Sequence, residues 1–192
     1  MKIMIVFWAL AQRLQLGQST THDERSGGHM STASQRKAAA ISFDRHSQYA
    51  KFQENLDELI GHDIHFDKGL VAFERFQNFS YSRDTKVRPF LYMKSRPEGE
   101  VAFICVEPFL LDPSYKVRIS AETASQIGLE SPSDALILCL VTVGKDMYST
   151  TANLLSPLVI SMRSRRGAQV ILDDLGPESL RFNVWEALVR QP

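Results

Sequence analysis

Cysteine is scarce in this chain: Cys105 and Cys139 are the two among 192 residues. Two cannot build a disulfide framework, and both stand inside apolar runs, where small buried thiols are common. That usage favours a reducing compartment. Net charge is missing as well, with 22 Lys+Arg against 22 Asp+Glu. A chain built to grip nucleic-acid backbone needs a strong positive field, so direct nucleic-acid binding is not expected. No apolar run approaches the roughly 20 residues that cross a bilayer, and no membrane partner is expected. Proline is absent before Pro89 and histidine after His65. There is no Gly-x-Ser-x-Gly, no Walker-type loop and no Gly-x-Gly-x-x-Gly.

What is present divides the chain in two. Lys2 and the apolar run Ile3–Ala11 imitate the start of a secretory signal, but the segment is shorter than the ~15–30 residues such signals use. Gln12–Ser34 has no apolar period and reads as unstructured. Residues 1–47 are therefore expected to form an irregular, disordered extension, with Met30 a later candidate start. Residues 62–187 carry 14 basic and 16 acidic side chains, close to neutral, with no internal repeat or long linker. This is expected to be one domain over residues 48–187, followed by a tail at 188–192.

From residue 87 onward short apolar runs alternate with turn residues, the pattern of a β-rich domain. Val101–Val106 reads as a strand covered on both faces. Pro108 and Pro113 end it and place Glu107–Tyr115 in a loop. Lys116–Ile119 alternates strictly, as a half-exposed strand does. One short helix is expected at Ala121–Ile127, capped by Ser120 and stopped by Gly128. Ala135–Val143 is the strongest buried strand. Leu158–Met162 and Ala168–Leu172 flank Arg163–Gly167, whose glycine suits a bulged hairpin turn. Tyr49–Ile60 fits either a helix, with Tyr49, Phe52, Leu56 and Leu59 at helical spacing, or a turn between strands. The fold class expected is mainly β, a small closed or partly open barrel.

Reactive constellations are thin. His62 and His65 lie three apart in a segment that looks extended, where they would point to opposite faces, and no third ligand stands at a recognisable spacing. Solvated histidines are the simpler reading, and no metal or cofactor is expected. Apolar burial raises a thiol's pKa and quenches it, so both cysteines read as packing groups. Asp173-Asp174 reads as a turn. Arg163, Arg165 and Arg166 form the basic concentration: either a solvated hairpin tip, or, if Arg163 and Arg165 share a strand face, forked donors for phosphate or carboxylate. The loop Glu107–Tyr115 holds four large apolar or aromatic side chains, which either cover the barrel end or form a sticky patch. Asn153 reads first as a turn residue.

Thr151–Ile160, followed by Arg165–Leu172, resembles the signature of the FliW flagellar assembly factor family. Phe66–Glu74, Glu107–Phe109 with Pro113–Tyr115, and Gly128–Pro132 agree in order and approximate spacing. The chain departs from the family pattern at Asp67, where proline is usual, and at Glu107, where aspartate is common. The resemblance implies a small cytoplasmic β-barrel without catalytic activity that binds flagellin and antagonises the translational regulator CsrA. The residues then expected to face partners are Phe109, Leu110, Tyr115, Asn153, Leu154, Pro157, Arg165 and Arg166. Two rival readings stand beside it: a small β-rich hydrolase or metal enzyme, and direct RNA binding through Arg163, Arg165 and Arg166.

Overall fold

Successive side chains of a strand point to opposite faces, so a strand that is apolar at every position needs cover on both sides. Strand β7 (Ala135–Thr142) is such a strand from Ala135 through Val141, and the computed structural model, which describes residues 40–97 and 99–190, supplies both covers. On one face Leu136 and Leu138 enter the interior of a barrel; on the other Ala135, Ile137 and Cys139 pack into a second core.

Seven strands close the barrel: β2 (Asp63–Phe66), β3 (Asn78–Arg83), β4 (Leu91–Ser95), β5 (Ala102–Val106), β7, β9 (Leu158–Ser161) and β10 (Arg166–Gln169). Neighbours run β7-β5-β4-β3-β2-β10-β9, and β9 returns to β7 with Leu136 opposite Ile160 and Leu138 opposite Leu158. Every pairing in the ring is antiparallel except β2 with β10, where His65 stands beside Arg166. Closure leaves the ring no free edge for another chain to extend. Its interior is filled from alternate positions: Ile64 and Phe66, Phe79 and Tyr81, Leu91 and Met93, Phe103 and Cys105, Leu158 and Ile160. Each large side chain so buried contributes roughly 1.5–3 kcal/mol.

Helix α1 (Arg45–Leu59) adds Phe52, Leu56 and Leu59 to that interior core. Asn55 on α1 donates to the carbonyls of Ser133 at 3.2 Å and Ala135 at 3.1 Å, so a buried amide fastens the helix to the start of β7. The helical alternative at Tyr49–Ile60 is therefore the one adopted. The second core lies outside the ring. It gathers α2 (Pro108–Leu111), α3 (Ala121–Gln126) and α4 (Val184–Val189) with an antiparallel ribbon of β1 (Ile41–Phe43) and β6 (Val117–Ile119). Short strands β8 (Thr151–Ala152) and β11 (Phe182–Asn183) branch from β7 beside it.

Several sequence expectations need correction. The helix at Ala121–Gln126 forms as expected, with Ser120 Oγ accepting from Thr123 N at 3.1 Å and Gly128 at φ +64°, but among the described residues three further α-helices accompany it. The boundary placed at residue 47 falls inside α1, and Ile41–Phe43 before it is an ordered strand held by β6. The tail boundary likewise cuts α4, which runs through Val189. The expectations for Ile3–Ala11 and Gln12–Ser34 lie outside the described residues. Among the described residues no helix is long and apolar enough to cross a membrane.

Candidate partner-binding surface

The segment after β5 was expected to be an apolar loop, and the structure makes it a short helix. Pro108 stands at the first helical position of α2, where a missing N–H costs nothing, so it starts the helix while ending the strand. The turn folds Phe109 and Leu111 onto the second core, with Phe109 only 2% exposed. Tyr115 is buried beside Phe109, ring edge to ring face at 5.8 Å between centroids. The sticky-patch alternative is therefore corrected for Phe109 and Tyr115: both are core residues, and Leu110, half-buried, is the side chain that reaches outward.

Tyr115 also joins two segments that sequence reasoning treated apart. Its hydroxyl donates to the Leu154 carbonyl at 2.6 Å. In residues 153–157, Asn153 Oδ1 accepts from Ser156 N at 3.0 Å, the side-chain-to-backbone bond of a turn. Leu154 and Pro157 are buried rather than exposed. Leu154 N donates to the Ser179 carbonyl at 2.8 Å, and the Pro157 carbonyl accepts from Val170 N at 3.0 Å. The stretch is a tightly bonded connection, and half-buried Asn153 spends its side chain inside it.

The β9–β10 hairpin turns at residues 162–165, with Arg165 in the left-handed region at φ 55°. Gly167 is not the turn residue. It lies in β10, where a Cβ would stand 2.6 Å from Phe66 Cζ, so the glycine is required by the close approach of a ring. Arg163 and Arg165 both fall in the turn rather than on one strand face. Arg163 bonds Glu130 at 2.7 Å and approaches Asp134 at 3.6 Å. Arg166 pairs with Asp67, whose other oxygen lies 3.1 Å from His65 Nε2, and His65 Nδ1 meets Asn78 Oδ1 at 2.8 Å. Arg165 Nη2 lies 3.4 Å from His62 Nε2, which must accept because a guanidinium only donates. The two histidines are thus engaged by hydrogen-bond partners, and the arginines sit in a balanced polar rim.

Buried titratable groups lie elsewhere. Burial pushes both cysteine thiols well above their ordinary range. Glu107, 5% exposed, has its carboxyl raised to about 7 by burial, with Arg45 opposing the rise. The Tyr81 hydroxyl, inside the barrel, has no hydrogen-bond partner among the described residues. Sequence reasoning passed over one exposed apolar group: Met147 at 54%, Tyr148 at 63% and Val189 at 60%. Tyr148 packs edge-to-face on Trp185 at 5.4 Å, and Trp185 stands one helical turn before Val189. Its signal was the tryptophan four residues from an apolar partner on a C-terminal helix.

This barrel, with its outer helices and its engaged arginine hairpin, has known counterparts. The family model described as FliW protein matches residues 46–183. Among curated relatives, the flagellar assembly factor FliW of Caldicellulosiruptor bescii is 30% identical over 65% of this chain and 81% of its own length. That of Moorella thermoacetica is 34% identical over 57% of this chain and 70% of its own. A crystal structure of the flagellar assembly factor FliW superposes with a TM-score of 0.56 at 28% identity, covering 59% of this chain and 79% of that one. A match that runs from α1 through all seven barrel strands to β11 leaves no part of the barrel unaccounted for: the chain belongs to the FliW family.

Proposed function

We propose that this chain is a non-enzymatic flagellar assembly factor of the cytoplasm that binds flagellin and the translational regulator CsrA. Holding CsrA frees flagellin translation; newly made flagellin then takes the factor away and repression returns. The observation that carries this reading is the family match across residues 46–183, together with relatives named as flagellar assembly factors. The chemistry of the barrel agrees with it. The two thiols are buried with raised pKa, which removes them as nucleophiles, and His62 and His65 are bonded to side chains around the rim.

Antagonism of this kind works by mass action: a factor present at a hundredfold excess over its dissociation constant shifts a partner's equilibrium by about 2.7 kcal/mol. Its outward surface for this work includes Leu110, Arg165 and Arg166, while Phe109, Tyr115, Leu154 and Pro157 act from beneath by holding the surface in shape. Direct RNA binding is disfavoured because Arg163 and Arg166 are already ion-paired to carboxylates. Titration of the full chain with purified flagellin and with purified CsrA tests the proposal. Saturable binding to both is expected, with RNA affinity negligible and free of the steep salt dependence that phosphate contacts impose. Failure to bind either protein overturns it.

A further inference from the structure

An open cleft of about 270 Å³ lies where α1, the approach to β4 and α2 meet. Phe52 and Leu56 form one wall, Pro89 and Phe90 a second, and Leu110 a third. Among the described residues three charged ones line it, Arg83, Arg88 and Glu107, and two of them are already answered. Arg83 Nη2 pairs with Asp57 Oδ1 at 2.8 Å, bridging the barrel to α1. Glu107 is buried and faces the charge of Arg45. Arg88 is exposed and has neither an ion pair nor a hydrogen bond among the described residues. The cleft therefore offers apolar walls and a single uncompensated guanidinium.

We infer that this cleft docks an acidic–apolar peptide segment of a protein partner, one large apolar side chain seated between α1 and Leu110 and a neighbouring carboxylate on Arg88. Apolar area removed from water supplies the attraction, and a guanidinium–carboxylate bond fixes orientation and sign. Because the cleft opens to solvent, a side chain seated in it can stay joined to a peptide outside. The inference rests on the reading of this protein as a binding scaffold, and it adds the location and the chemistry of one contact.

The test is an NMR titration of the full chain, amide by amide, with two probes: acetyl-Gly-Phe-Glu-Gly-amide and the same peptide with Gln for Glu. The acidic peptide is expected to shift the amides of Arg88, Phe90, Leu91, Phe109, Leu110 and Leu111 and to bind more tightly than its neutral twin. Arg88→Glu is expected to weaken the acidic peptide roughly ten- to a hundredfold, the range for a hydrogen bond to a charged group, and to leave the neutral one nearly unchanged. Leu110→Trp, which fills the cleft, is expected to abolish both. Equal affinity for the two peptides, shifts that map elsewhere, or indifference to Arg88→Glu overturns the inference. So does tighter binding of decanoate than of the acidic peptide, which would mark a site for free fatty carboxylates, or self-association that Leu110→Trp abolishes. Peptide failure with flagellin binding intact rejects the cleft alone; peptide success with flagellin and CsrA both unbound rejects the proposed function alone.

Discussion

Glu107 is the residue whose environment is most at odds with its charge. In the unfolded chain its carboxyl ionises near the ordinary value of 4.5, while in the folded chain burial holds the proton until about pH 7. Between those values the folded state binds more protons than the unfolded one, so stability falls as pH rises through the window, by about 3 kcal/mol from this group. Glu107→Gln removes the effect. Urea unfolding at several pH values is expected to show the variant gaining on the parent by that amount from pH 4.5 to pH 7. Parallel pH profiles would refute the buried carboxyl. Gly167 makes a second residue-scale case. Gly167→Ala drives a methyl into the Phe66 ring and is expected to cost about 1–3 kcal/mol, the range for overpacking a core. Adding Phe66→Leu is expected to recover part of the loss, read as a non-additive double-mutant cycle. From sequence alone Gly167 looked like the turn glycine, because turn chemistry is local and visible whereas the ring that presses on it comes from a strand about a hundred residues earlier.

At the scale of elements, legibility followed the range of the interaction. Helix α3 was readable to its caps, since Ser120 and Gly128 act on their own neighbours. Strands β7 and β9 were readable because two-sided burial writes an unbroken apolar run; β5 carries such a run as well, although Ala102 and Ile104 on its outer face are only half-buried. Helix α1 was not decided, since what settles it is tertiary: Asn55 reaches the Ser133 and Ala135 carbonyls, and Leu59 is sealed in the barrel. Helix α2 reads as a loop in the sequence because Pro108 is visible there as a strand breaker, though the same residue suits a first helical turn. The bond from Tyr115 to Leu154 fastens this segment to the connection before β9. Tyr115→Phe keeps the ring and deletes the bond, leaving a buried carbonyl unpaired at an expected cost of about 1–3 kcal/mol in thermal or urea unfolding. No change in stability would mean that the two segments are held together by packing alone.

Across the whole molecule, a mainly β barrel was legible, but its closure was not. The parallel pairing of β2 with β10 brings together residues 63–66 and 166–169, and nothing local announces a partner so distant. The expected partner surface suffered from the same limit. The segments around residues 109–115 and 153–157 do come together, yet mainly to seal the second core, so apolar loop composition marked packing more than docking. A closed barrel with sheltered thiols and an ion-paired hairpin leaves its outer face for contact, and exchange between two proteins is the use proposed for that face. A competition experiment tests that use most directly: preform the complex of the full chain with CsrA, add purified flagellin, and follow CsrA release by size-exclusion chromatography. Stoichiometric release of CsrA as flagellin binds is the expected result; a complex that fails to form, or one that flagellin leaves intact, contradicts the account.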